Sequence, residues 1–127
     1  LGDYVYEFPA GLVEQGEAMN DAAVREFHEE TGLHLKVIPA DDMYTKPRFT
    51  TVGMTDEACG MVYGYASGVP DNRFEESSED IQVVLADKKE VRRILKEENV
   101  AMMCAYMLLH FLKSEGDPLG FVEMQEK

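Results

Sequence analysis

The chain has 127 residues, 45% of them hydrophobic, and a formal net charge of −13 from 25 acidic against 12 basic side chains. That is enough for one domain with a real core, too short for two, and too apolar for a disordered segment. So acidic a surface repels a nucleic-acid backbone, and no apolar run approaches the roughly 20 residues of a membrane helix. Neither a nucleic acid polymer nor a membrane is therefore expected as a partner.

The start, Leu1-Gly2-Asp3-Tyr4, has no basic segment followed by an apolar one, so no signal peptide is expected. Cys59 and Cys104 stand far apart and make neither a disulfide framework nor a metal-ligand spacing. A reducing, cytoplasmic setting fits this usage.

In chain order, Tyr4, Tyr6 and Phe8 alternate with Val5 and Glu7, which predicts a strand ended by Pro9-Ala10-Gly11. A loop follows through Gly16. Met19 to Thr31 is predicted as a helix capped by Asn20 or Asp21, with Ala22, Ala23 and Phe27 at apolar positions and Gly32 as its stop. Leu33 to Ile38 reads as a strand closed by Pro39. Met43 to Val52 and Cys59 to Ala66 both carry β-forming residues, while Gly68, Pro70, Asp71 and Asn72 mark a loop. Ile81 to Leu85 reads as a short apolar strand. Asp87 is expected to cap a helix through about Glu97, with Val91, Ile94 and Leu95 on one side. Asn99 is expected to cap a last helix, Val100 to Lys113, ended by Gly116. That helix is apolar nearly all round, so it is buried or packs on a partner, with Cys104 as core filler. Strands and helices mix without regular alternation. The expected fold is α/β: one domain over residues 1–127, a sandwich of mixed sheet and flanking helices.

The densest chemistry is Arg25-Glu26-Phe27-His28-Glu29-Glu30. On a helix, Glu26, Glu29 and Glu30 project from one side. Uncompensated, like charges at that spacing destabilise the helix. Hard oxygens gathered in this way suit Mg2+ or Mn2+, and bound cations present local positive charge to a diphosphate. Arg25, four before Glu29, can neutralise or orient one carboxylate. Taken alone, the run reads more readily as a solvated acidic face.

The surroundings separate these readings. Gly11 is followed after five residues by Glu17. After seven more come Arg25, Glu26, apolar Phe27, one variable residue, Glu29, Glu30, one variable residue, Gly32 and apolar Leu33. Every fixed position of the Nudix hydrolase signature is filled, and the chain resembles that family. The resemblance implies a Nudix-type α/β/α sandwich and a divalent-metal-dependent hydrolase of a nucleoside diphosphate linked to another group. Carried over by position, Glu26 and Glu30 are the expected main metal ligands, Glu29 shares, and the Ala10 carbonyl is a backbone ligand. Glu17 pairs with Arg25 or assists through water. The metal polarises phosphate oxygens and lowers the pKa of the attacking water. His28 occupies a variable position and is expected to be a surface residue.

The flanks extend the resemblance toward the ADP-ribose pyrophosphatase branch. Glu7-Phe8-Pro9-Ala10-Gly11-Leu12-Val13-Glu14 looks like its entry to the signature. Val52-Gly53-Met54-Thr55-Asp56-Glu57 is similar to its glycine-containing loop, and Glu79-Asp80-Ile81 to its acidic step before the next strand. The branch takes a catalytic glutamate from a position that is Ser77 here, so the base is assigned to neighbouring Glu76 or Glu79. Relatives in that branch also carry a segment before the first strand, with further sheet strands and much of the dimer contact; that N-terminal part is expected to be absent from this chain, and a homodimer is expected. The leading expectation is cleavage of ADP-ribose or another nucleotide sugar to a nucleoside monophosphate and a sugar phosphate. Hydrolysis of a modified nucleoside triphosphate and a non-catalytic nucleotide-binding module are the competing readings.

Overall fold

A computed structural model describes residues 4–54, 58–70 and 82–123. The elements, in chain order, are β1 (Val5–Tyr6), α1 (Met19–Thr31), β2 (His34–Val37), α2 (Asp42–Thr45), β3 (Arg48–Phe49), β4 (Ala58–Cys59), β5 (Gly64–Ser67), α3 (Lys88–Glu97), β6 (Asn99–Val100) and α4 (Met102–Lys113), followed by a 3-10 turn at Gly120–Val122. The α/β class expected from the sequence is observed. Among the described residues the strands form three two-stranded pairs: β1 with β6 in parallel, and β2 with β5 and β3 with β4 antiparallel.

Helix α1 has the predicted limits. Gly32 ends it in the left-handed region at φ 76°, donating its N–H to the His28 carbonyl at 2.8 Å. That conformation is cheap for glycine and strained for other residues. Its start differs from expectation. The N-cap is Ala18, whose methyl side chain cannot cap and whose carbonyl accepts the first helical bond, from Ala22 N–H at 3.0 Å. Asn20 and Asp21 thus fall inside the first turn, where Asp21 still complements the helix dipole. Helix α3 is as predicted, with the Asp87 carboxylate accepting from Glu90 N–H at 2.8 Å.

Local chemistry overrides β propensity after Pro39. The Asp41 carboxylate accepts from Met43 N–H at 3.0 Å and starts α2 where a strand was expected, leaving only Arg48–Phe49 extended. The stretch expected as one strand from Cys59 to Ala66 divides between β4 and β5. Strand β5 lies flush on β2 at Gly64, where an added Cβ would meet the Lys36 carbonyl oxygen at 2.3 Å. Residues 82–85 form no strand, and Ile81 lies outside the described residues.

Asn99 is not a helix cap. Asn99 and Val100 pair with Val5 and Tyr6, and Ala101 N–H extends the ladder to the Tyr6 carbonyl at 2.9 Å, so α4 begins only at Met102. The C-cap of α4 is Ser114, ahead of Gly116. The core gathers Ala22 and Leu33 from the α1 side, Val91 and Ile94 from α3, Cys104 from α4, Tyr63, and Val122 from the terminal turn. Cys104 is core filler as expected. The rest of α4 is less covered than its composition predicts, since Met102, Tyr106 and Leu109 stay exposed. No helix among the described residues is long and apolar enough to cross a membrane.

Packing sets the expected response to truncation. Ile94→Ala should lower the urea-unfolding free energy by about 3 kcal/mol, and Met102→Ala by less than about 0.5 kcal/mol. Equal losses would contradict this assignment of core and surface.

Candidate metal and phosphate site

The site forms where the loop leaving β1 lies down on α1. Residues three and four apart on a helix share a face, so Glu26, Glu29 and Glu30 line one side of α1. The loop backbone meets that side directly. Ala10 N–H donates to Glu30 Oε2 at 3.2 Å. One residue on, a Cβ at Gly11 would stand 2.1 Å from Glu26 Cδ and 2.4 Å from its Oε2. Only a residue without a side chain lets the loop approach so closely.

Arg25 ties the loop to the helix. Its Nε and Nη2 donate to the two oxygens of Glu17 at 2.9 and 3.0 Å, and Nη2 also reaches the Leu12 carbonyl at 3.1 Å. Such a two-pronged pair fixes direction as well as distance. Nη1 donates to Glu26 Oε1 at 2.8 Å and to Glu29 Oε2 at 3.4 Å, with Glu14 Oε1 at 3.9 Å. Glu17 in turn accepts from Glu14 N–H at 3.0 Å and closes the loop on itself. The expected pairing of Glu17 with Arg25 is observed. So is the contact of Arg25 with Glu29, although Glu26 is held more closely.

These contacts move the proton affinities in opposite directions. The Arg25 guanidinium, then the Glu14 N–H, lower the Glu17 carboxyl to about 2. Arg25 is held still more firmly cationic by Glu17 and Glu26. Burial raises the Glu30 pKa, opposed by the Ala10 N–H and reinforced by the charges of Glu26, Glu7 and Glu29. Glu7 was not singled out as a site residue. Its place in the strand alternation hid it, although it stands three residues before Ala10 in a stretch already read as the entry to the signature.

The donor set is all oxygen, and it suits a hard divalent cation. Glu26 Oε1 is engaged by Arg25, while Oε2 faces Gly11 beside the loop that also meets Glu30. Among the described residues, no three acidic, histidine or cysteine side chains converge tightly enough to form a ready metal cluster. Glu26 at 2.8 Å and Glu29 at 3.4 Å both lean toward Arg25, while Glu30 is met by the Ala10 N–H. The Ala10 contact present here is through its N–H. His28, half-buried, turns onto β2. Its ring stacks on His34 with centroids 4.7 Å apart, and its Nδ1 lies 3.3 Å from the Leu33 carbonyl oxygen. Glu76, Ser77 and Glu79, among which the base was sought, lie outside the described residues.

The two shifted glutamates predict stability effects of opposite sign. The Glu17 pKa is depressed from 4.5 to about 2, so its contribution is complete above 4.5 and fades as pH falls toward 2. Glu30 holds its proton more tightly when folded than unfolded, so its ionisation weakens the fold as pH rises through the folded pKa. In metal-free thermal melts at neutral pH, Glu17→Gln should lower Tm and Glu30→Gln should raise it. The Glu17→Gln deficit should shrink on acidification below pH 4.5. Shifts of the same sign at neutral pH would contradict the geometry.

The NUDIX domain model matches residues 2–107. A Caenorhabditis elegans protein assigned as nudix hydrolase 2 is 36% identical over 93 residues, covering 68% of this chain and 40% of the relative. An uncharacterized Nudix hydrolase of Schizosaccharomyces pombe is 40% identical over 55 residues, covering 42% of this chain and 27% of its own length. An ADP-sugar pyrophosphatase of Mus musculus is 56% identical over 32 residues, covering 25% of this chain and 15% of the relative. The matched stretches thus span 40% or less of these relatives. No solved structure matches the chain. With the domain model aligned over most of its length and the loop-on-helix geometry beneath it, the chain belongs to the Nudix family.

Proposed function

We propose that this chain hydrolyses the diphosphate bond of a nucleoside diphosphate derivative, ADP-ribose or another nucleotide sugar, giving a nucleoside monophosphate and a sugar phosphate. The observation that carries the reading is the seating of Ala10 and Gly11 against the carboxylates of Glu30 and Glu26. A backbone packed this closely on two like charges makes sense as one wall of a cation and phosphate site. Family membership supports the reaction class. The short stretch shared with a mouse ADP-sugar pyrophosphatase supports the substrate class.

In this reading Glu26 and Glu30 would hold Mg2+ or Mn2+, joined by Glu29 and the Ala10 carbonyl. The bound cation supplies polarisation of the phosphate oxygens and a lower pKa for the attacking water. Arg25 fixes the Glu26 carboxylate so that its second oxygen faces the loop, and Glu17 fixes Arg25. Glu30 is half-buried beside the charges of Glu26, Glu7 and Glu29, and a cation there would offset their repulsion. Glu76 or Glu79 takes the proton from the attacking water.

The test is a product assay with Mg2+ on ADP-ribose, nucleotide sugars and nucleoside triphosphates. AMP and ribose phosphate from ADP-ribose are the expected products. Pyrophosphate from triphosphates alone would replace the substrate class, and no turnover of any substrate would overturn the reading. Glu30→Gln should lower kcat by at least about 100-fold, the scale of losing one stabilising contact to the transition state. Near-normal turnover would remove Glu30 from the ligand set.

A further inference from the structure

Four of the chain's eight methionines, Met43, Met61, Met103 and Met107, line one cavity. It lies across residues 59–63 from α1. Successive residues of an extended stretch face opposite sides. An added Cβ at Gly60 would meet Met19 Sδ of α1 at 2.6 Å, whereas Cys59, Met61 and Tyr63 line the cavity together with Met103 and Met107 of α4. The carboxylates of the proposed cation site stand on α1, so the cavity is a separate place.

Its walls are fixed to one another. The Tyr63 hydroxyl donates to the Tyr44 carbonyl at 3.0 Å and lies 3.2 Å from Met107 Sδ, which ties α2 to α4. Phe121 packs edge-on against Tyr44 with centroids 5.6 Å apart, and the Asp41 N–H donates to the Val122 carbonyl at 2.7 Å. The terminal turn therefore also holds α2. Burial runs from a covered floor at Tyr63 to an exposed rim at Met43, Lys46 and Arg48. Arg48 Nη2 donates to the Met43 carbonyl at 3.0 Å, which sets the guanidinium on that rim. Among the described residues no carboxylate lines the cavity, in a chain of net charge −13.

We propose that this cavity binds a small aromatic carboxylate, with one six-membered ring among the methionines and tyrosines and its carboxylate on Lys46 and Arg48. Size selects the ring. The cavity measures about 140 Å3, close to the roughly 150 Å3 of an engineered apolar cavity that takes up benzene. Thioether sulfurs attract aromatic rings at about 5 Å, and unbranched methionine side chains adapt to the guest's shape. Charge selects the anion. A guanidinium binds a carboxylate through charge-assisted hydrogen bonds, and no acidic side chain of the lining competes for it. A soft metal cation, which methionine sulfurs alone would suit, meets two positive charges at the rim.

The test is an NMR titration of protein labelled at its methionine methyl groups, with benzoate as the probe. Saturable shifts are expected at Met43, Met61, Met103 and Met107, with a Kd of about 1 mM or tighter. Met102, exposed and outside the lining, should move little. Toluene, which lacks the charge, and benzylammonium, which inverts it, should bind at least about tenfold more weakly, as should benzoate to the Lys46→Gln, Arg48→Gln double variant. Cys59→Phe, which puts a ring of the protein's own into the cavity, should weaken benzoate binding as much. Unchanged urea midpoints would show that the variants fold, and the comparison of the three ligands rests on the wild-type protein alone. No saturable shift, shifts as large at Met102, equal binding of toluene or benzylammonium, or wild-type affinity in either folded variant would overturn the proposal. Benzoate carries no diphosphate, so the outcome is independent of the hydrolase reading.

Discussion

The guanidinium of Arg25 bridges two pieces of chain that charge alone would drive apart. Residues 12–17 reach it through Glu17 and the Leu12 carbonyl, and α1 reaches it through Glu26 and Glu29. Four carboxylates, Glu14, Glu17, Glu26 and Glu29, lie within 4 Å of this one cation. Without it, the loop would have no charged anchor on a helix face that repels it. Arg25 binds Glu17 through both prongs of its fork, so the direction in which the loop crosses the helix is set along with the distance. Lysine, a point charge on a flexible stem, would not reproduce that.

One cation does not balance the cluster. Glu30 accepts from the Ala10 N–H; burial raises its pKa, and the charges of Glu26, Glu7 and Glu29 raise it further. The fold therefore carries a built-in repulsion at the place where the proposed chemistry needs a second positive charge. A bound divalent cation would turn that repulsion into coordination. Sites of this kind trade folding stability for function, and the opposite stability effects expected at Glu17 and Glu30 express that division within one loop and one helix.

What could be read from the sequence depended on how local the cause was. The limits of α1 and α3 were legible because Gly32 and Asp87 terminate them with contacts inside the same segment. The signature spacing likewise led to the Arg25 and Glu17 pair, since a helix face and one loop are enough to bring them together. Other features needed partners far along the chain. Asn99 looks like a cap, but pairing with Val5 draws it into a strand. Met43 to Thr45 have β-forming side chains, yet the Asp41 carboxylate turns them into helix. The exposed side of α4 was hidden by its composition, because apolar residues all round say nothing about which face is covered. Glu7 reaches Glu30 only through the fold.

Gly11 concentrates the account in one atom. Its backbone does not occupy the positive-φ region that some other glycines of the chain adopt, so alanine is conformationally allowed. The Cβ it adds would collide with the Glu26 carboxylate at 2.1–2.4 Å and change no charge. The most direct measurement is a Mn2+ titration followed by electron paramagnetic resonance on the wild-type protein and on Gly11→Ala. If the loop seats Glu26 for a cation, Mn2+ affinity should fall at least about tenfold, on the scale of disturbing a ligand's supporting contacts. Equal Mn2+ affinity in the two proteins would contradict the claim that the loop and the helix carboxylates make one site.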